Sequence, residues 1–159
     1  ERNATEDFRH TERVILGGPR PATTRLKQFY ANVFPKASII KTDETIAEFV
    51  KYLTNCFLAV KVSLANEFAG MCEANGVDYD KVVEYAVHDE RLGDSHWSVP
   101  GPDGRFGFGG SCFPKDLNAL IHHAMDFGIS PNTLVGAWNT NLMVRPEKDW
   151  EELKGRAVQ

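Results

Sequence analysis

The chain has 159 residues, 42% hydrophobic and 25% charged, with 18 Lys+Arg against 22 Asp+Glu and a formal net charge of −4. That balance gives no reason to expect nucleic acid or an anionic membrane surface as a partner, and no apolar run approaches the ~18 residues a membrane span requires. The three cysteines, Cys56, Cys72 and Cys112, are an odd count with two inside a helical pattern. This argues against a disulfide framework and for a reducing, cytoplasmic setting. No His–Cys pairing has zinc-ligand spacing, so no metal is expected.

Arg13-Val14-Ile15-Leu16-Gly17-Gly18 is a short apolar run closed by glycines and reads as a buried strand. Pro21 to Phe34 follows with Leu26, Phe29, Tyr30 and Val33 at helical spacing, and Ala37 to Lys41 reads as a second strand. Strand, helix, strand in about 30 residues is one βαβ unit at the edge of a parallel sheet. Thr45 with Glu48 forms a capping box that opens a long helix. Along it Ile46, Phe49, Leu53, Phe57, Val60, Leu64, Phe68 and Met71 recur at near-heptad spacing as far as the stop at Asn75-Gly76. Leu58, Val62, Ala65 and Ala69 make other sides of it apolar too. Such a helix is either a core helix or a dimerisation spine. Asp78 caps a shorter helix that ends near Glu90. Residues 92–111 form a glycine-rich loop, ordered or mobile. A helix from Pro114 to Phe127, stopped by Gly128, and a last one from Ser130-Pro131 to Val144 complete a mainly α chain. Gly155-Arg156-Ala157-Val158-Gln159 reads as the entry to a new strand.

The chemistry concentrates in Gly107-Phe108-Gly109-Gly110-Ser111-Cys112-Phe113-Pro114-Lys115-Asp116. Pro114 suits a first helical turn, and a thiol just ahead of that turn faces unpaired N–H groups and the positive end of the helix dipole. That setting favours the thiolate, the nucleophilic form. Asp116 lies one turn further on, either as a carboxylate favoured by the helix start or as a group that orients water. Lys51 and Asn55 share a helix face four residues apart, as a solvated stripe or as a cation and an amide aimed into a site. Arg91 and Arg105 bracket the loop and are suited to hold an anion or simply to face solvent. Cys56 and Cys72 read as core cysteines. The glycine run follows a loop and not a strand, so it is not a dinucleotide fingerprint.

The run G-F-G-G-S-C-F-P-K-D resembles the active-site motif of the UDP-glucose/GDP-mannose dehydrogenase family. Glu48-Phe49-Val50-Lys51 through Asn55, with Asn66-Glu67, is similar to the family's central helix. Asp89-Glu90-Arg91-Leu92-Gly93 is similar to the segment before its cysteine loop, and Val14 to Gly18 to the end of its dinucleotide domain. Phe113 after the cysteine leans toward UDP-glucose over GDP-mannose, where leucine is usual.

The resemblance implies a mainly α central domain built on one long helix behind a βαβ remnant. It divides the chain into residues 1–43, the edge of an NAD-binding α/β domain; 44–146, a helical dimerisation and catalytic domain; and 147–159, a linker into a UDP-binding domain. It implies oxidation of a nucleotide-sugar alcohol to a carboxylate with two NAD+ per turnover. Cys112 would be the nucleophile, Lys51 the oxyanion stabiliser assisted by Asn55, and Asp116 the group that orients water, with Glu1 helping hydrolysis. Gly101, Pro102, Asp103, Gly104, Arg105, Phe106, Gly107 and Gly109 would line the sugar. Arg91 would contact substrate from across a homodimer, and Lys115 would touch NAD. The stretch from Trp97 to Gly104 is several residues longer than the family pattern. No G-x-G-x-x-G follows a strand anywhere, so the chain alone is expected to bind NAD poorly and to be inactive. The competing readings are a GDP-mannose dehydrogenase, a non-catalytic helical dimerisation module, and a thiol hydrolase. The last would need a histidine paired with Cys112; of His10, His88, His96, His122 and His123 only His88 and His96 are placed to stand near it, and neither sits in a recognisable motif.

Overall fold

The computed structural model describes residues 4–153. In chain order the elements are α1 (Ala4–Arg9), β1 (Arg13–Gly17), α2 (Arg20–Val33), β2 (Ser38–Thr42), α3 (Glu44–Ala74), α4 (Tyr79–Ala86), α5 (Cys112–Asp126) and α6 (Asn132–Val144), with short 3-10 turns at Glu90–Leu92 and Asp149–Glu152. The chain divides into two compact units, one ending at Lys51 and one starting at Tyr52. The boundary falls inside α3.

In the first unit, β1 and β2 pair in parallel with Val14 opposite Ile39 and Ile15 opposite Ile40. The crossover helix α2 makes this the expected βαβ unit. Helix α1 was not expected, because Phe8 is the one large apolar residue in it and no periodicity announces it. It is placed by that ring, which meets Phe34 edge-on at 5.0 Å.

The start of α3 differs from the expected capping box. The helix begins at Glu44, and the cap is Asp43, whose Oδ1 accepts from Ile46 N–H at 2.9 Å. Thr45 therefore lies inside the first turn. Asp is as good a cap as Thr and stands two residues earlier. Helix α4 starts as expected, with Asp78 accepting from Lys81 N–H at 3.2 Å, but stops at Ala86, short of Glu90. The shortening follows from Asp89, which caps its own turn by accepting from Arg91 N–H at 3.1 Å. Helix α5 begins at Cys112, not Pro114. The thiol is therefore within the first turn, and Pro114 still occupies a position where no N–H is needed. The strand expected at residues 155–159 lies outside the described residues.

The core of the second unit is Cys56 and Ala59 of α3, Phe108 of the loop, and Leu117 and Ile121 of α5, with Leu134, Val135 and Trp138 of α6 packed against it. Cys56 and Cys72 are buried, as expected. The near-heptad stripe is not part of this core. Leu53, Phe57, Leu64, Phe68 and Met71 are all exposed, Leu53 at 70%. The face of α3 turned inward is made of small and polar residues instead: Cys56, Ala59, Ser63, Ala65 and Asn66.

Leu117, with no exposed surface, touches the centre of this core. Leu117→Ala should cost about 2–5 kcal/mol of folding stability, read as a lowered urea midpoint with an unchanged slope.

Candidate active site

Three of the expected site residues of the second unit, Asn55, Lys115 and Asp116, meet one another, and Cys112 stands one helical turn from Asp116 on α5. Cys112 is exposed in the first turn of α5. Asp116, four residues on and hence on the same helix face, is fully buried. Asn55 reaches it from α3, donating through Nδ2 to Asp116 Oδ2 at 2.5 Å. Lys115 donates to the other oxygen at 2.5 Å, its own side chain 43% exposed. A buried carboxyl with both oxygens occupied is fixed in place, and its bond to Asn55 ties α3 to α5. Cys56 Sγ donates to the Asp116 carbonyl at 3.7 Å, tightening the same contact. Ser111 Oγ lies 3.9 Å from Cys112 Sγ. Lys51 is exposed one helical turn before Asn55 on α3. Glu1 lies outside the described residues.

The loop before the thiol is held by side chains to which the sequence reading assigned no role. Lys61 is buried on α3 and donates to the carbonyls of Leu92 at 2.8 Å and Gly93 at 3.2 Å, with the Trp97 ring 4.6 Å from its ammonium. Burial lowers the pKa of that ammonium, and Asp94 opposes the shift. Tyr79 donates to the Trp97 carbonyl at 2.7 Å. Its phenol is pushed up to about 12 by burial, with Asp80 and Cys72 adding to it. Asn66 Oδ1 accepts from Gly107 N–H at 3.1 Å. Asn141 of α6 accepts from Phe108 N–H at 2.7 Å and donates to the Phe108 carbonyl at 3.0 Å. An amide that satisfies both backbone groups of one residue mimics a strand partner and leaves that residue no alternative conformation.

Arg145, 2% exposed, closes the loop from behind. Its guanidinium donates to Asp149 Oδ1 at 2.6 Å, Asp103 Oδ2 at 2.7 Å and the Phe106 carbonyl at 3.2 Å. Asp149 Oδ2 in turn accepts from Gly110 N–H at 3.1 Å. Burial, the largest single effect, would raise both carboxyls, but the hydrogen bonds from Arg145 and from backbone N–H groups, together with the charge of Arg145, hold Asp103 and Asp149 below the ordinary value of 3.8. Burial would lower the Arg145 pKa, and the same two carboxylates hold it above its usual range.

This arrangement changes the reason for two glycines. A Cβ at Gly107, where φ is +66°, would collide with Asn141 Oδ1, and one at Gly109 would collide with the Arg145 guanidinium. These glycines make room for buried polar side chains of the protein itself. Of the residues expected to line the sugar, Asp103 is engaged by Arg145, and Gly101 closes a turn by donating to the Arg105 carbonyl at 2.8 Å. Gly104 donates to the Gly101 carbonyl at 2.8 Å. Pro102, Arg105 and Phe106 are exposed around that turn. Arg105 stands 3.7 Å from Glu147, and Arg91, 88% exposed, is held by Asp89 at 2.5 Å. Both arginines thus already have a carboxylate.

Among the described residues no group of three potential ligands gathers in a metal-binding cluster, and no helix is long and apolar enough to cross a membrane. The residues present do not fit a complete dinucleotide site. The βαβ unit carries no glycine-rich phosphate loop, and Lys115, the expected NAD contact, has its ammonium on Asp116.

Residues 45–142 match the profile of the UDP-glucose/GDP-mannose dehydrogenase family, central domain. The chain belongs to that family. It is 40% identical over 136 residues to a UDP-glucose 6-dehydrogenase of Pseudomonas aeruginosa, a match covering 84% of this chain and 29% of the relative. It is 36% identical over 145 residues to the UDP-glucose 6-dehydrogenase AglM of Haloferax volcanii, covering 89% and 33%. A solved UDP-glucose dehydrogenase from the hyperthermophilic archaeon Pyrobaculum islandicum superposes with a TM-score of 0.74 at 33% identity, covering 88% of this chain and 31% of that one. A GDP-mannose dehydrogenase of Pseudomonas aeruginosa, solved as a ternary complex, gives 0.50 at 26% identity, covering 96% and 34%. The chain thus spans about a third of the length of the relatives it matches.

Two outcomes follow from the clamp behind the loop. Gly109→Ala forces a methyl group against Arg145 and should cost about 1–3 kcal/mol, measured by urea unfolding. Asp103 and Asp149 have folded-state pKa values below the ordinary one. The stability they contribute is therefore complete above about pH 4 and is lost as pH falls through their folded values. Urea midpoints measured down through that window should fall, and fall less steeply in Asp149→Asn, which has one fewer titrating group.

Proposed function

We propose that this chain is the nucleophile-bearing core of a nucleotide-sugar dehydrogenase that oxidises UDP-glucose to UDP-glucuronate. One observation carries the reading: Cys112 is exposed in the first turn of α5, on the face of the helix that carries the buried Asp116–Asn55 pair. The names of the relatives support the choice of UDP-glucose, as does Phe113 after the cysteine.

The chemistry assigned to these residues is the carbon–sulfur part of the reaction. Once the C6 alcohol has lost a proton and a first hydride, the hydride to the same kind of acceptor as the second, the Cys112 thiolate adds to the resulting aldehyde carbon, forming the C–S bond while the carbonyl electron pair moves to oxygen. Lys51 stabilises that oxyanion, and Asn55, one turn further along α3, assists it. The thiohemiacetal so formed must lose a hydride, to an acceptor for which the described residues carry no complete site. Water then attacks the thioester, the C–S bond breaks and the thiolate leaves with the carboxylate released. Asp116, buried, orients that water through the two groups it holds, Asn55 and Lys115. Arg91, exposed on its 3-10 turn, is assigned to the substrate of a second subunit.

The second subunit is a further copy of this chain, packed along α3. Seven large apolar side chains on that helix, from Ile46 to Met71, are each more than 40% exposed. A helix of 31 residues, roughly 46 Å long, presents them together, and an apolar patch of that extent marks an interface. The cysteines, with no disulfide among them, fit a cytoplasmic enzyme.

Turnover is to be measured on protein of the relatives' full length that carries this chain, with UDP-glucose, GDP-mannose and UDP-galactose. The expected outcome is NADH formation with UDP-glucose foremost, abolished in Cys112→Ala. Preference for GDP-mannose would overturn the substrate, and undiminished turnover in Cys112→Ala the mechanism. Sedimentation of the chain should give a dimer, and the paired change Leu53→Glu with Phe57→Glu should give monomers.

A further inference from the structure

We propose that Asp149, held by Arg145, is a positioning residue for Cys112. The inference rests on the reading of Cys112 as the nucleophile and adds a residue that acts on it from outside the motif, 37 positions further along the chain.

Gly110 is the last residue before the N-cap of α5, and its backbone stands at φ +69°. Glycine reaches that conformation as readily as several others, so something must select it. The Gly110 N–H donates to Asp149 Oδ2. That bond fixes the peptide two residues before the thiol, and with it the direction in which the first turn of α5 leaves the loop. Asp149 itself has little freedom. Its other oxygen takes the Arg145 guanidinium. The next residue, Trp150, is 3% exposed, with its ring 5.3 Å from Trp138. Lys148, immediately before Asp149, stands in the left-handed region at φ 44°. The segment that leaves α6 therefore ends with a carboxylate pinned on one side and holding the nucleophile's loop on the other.

Asp103 provides the comparison within the molecule. It also pairs with Arg145, at 2.7 Å against 2.6 Å, and is similarly accessible, 28% against 26%. Its carboxylate accepts from Arg105 N–H and not from Gly110. A role confined to stabilising Arg145 predicts the same behaviour for both carboxylates, whereas a positioning role singles out Asp149.

The test is iodoacetamide alkylation of Cys112, followed by peptide mass spectrometry in the 159-residue chain and in Asp149→Ala and Asp103→Ala. Cys56 and Cys72, both buried, report on the fold through their protection. With both protected, Asp149→Ala should change the Cys112 rate by roughly fivefold or more, while Asp103→Ala leaves it within about twofold of the parent. Asp149→Asn, which keeps an oxygen for Gly110 N–H, should restore the parent rate. Equal Cys112 rates in the two alanine variants would overturn the proposal. If either alanine variant exposes Cys56, the comparison passes to Asp149→Glu, which withdraws the oxygen from Gly110 but keeps the charge, against Asp103→Glu, and the same difference or equality decides. The readout needs no substrate, so absence of turnover with nucleotide sugars leaves it standing and fails the functional reading alone.

Discussion

A guanidinium taken almost wholly out of water is costly unless each of its faces finds an acceptor. Arg145 meets that demand with two carboxylates and a carbonyl: Asp103 and Phe106 in the second half of the loop, and Asp149 beyond α6. Each acceptor thereby ties its own part of the chain to the same buried charge. Cooperation of this kind gives an irregular segment, with few hydrogen bonds of its own, one defined shape. Asn141 and Asn66 complete the effect by taking up the backbone groups of Phe108 and Gly107.

The fold was legible wherever one physical signal dominated. Apolar runs ending in glycines gave β1, the Asp78 cap gave α4, and Gly128 ended α5 where expected. Errors arose where two adequate signals competed. Asp43 and Thr45 are both good caps, and the chain uses the first. Asp89 opened a turn of its own before α4 could run to Glu90. Helix α1 carries no periodic signal, since its placement rests on the single ring of Phe8 against Phe34.

The site was legible in its reactive groups and not in its scaffold. A cysteine after glycines, an aspartate one turn on and an amide on the long helix stand out as residue types. Lys61, Asn141, Arg145 and Asp149 do not, because lysine, asparagine and arginine on helices are ordinarily solvated, and burial cannot be read from type alone. The available signal was positional. Asn141 sits among the apolar residues of α6, where an amide weakens the helix unless it is used elsewhere, and Arg145 directly precedes Pro146. Gly107 and Gly109 were expected to line a sugar, and they make room for Asn141 and Arg145.

Helix α3 faces two environments. Its inner side joins α6 through polar contacts, Ser63 to the Ala137 carbonyl at 2.8 Å and Thr140 to Glu67 at 2.6 Å, while its outer side carries the large apolar residues. Those residues follow a stricter rule than a heptad. Ile46, Phe57 and Phe68 are eleven apart, as are Phe49, Val60 and Met71, and Leu53 and Leu64. Eleven residues advance about 20° beyond three full turns of an α-helix, in the sense opposite to the drift of a heptad stripe. The outer stripe therefore stays almost parallel to the helix axis and leans slightly right-handed. A surface that meets it needs to be nearly straight, and a left-handed supercoil would carry the stripe out of contact within a few turns.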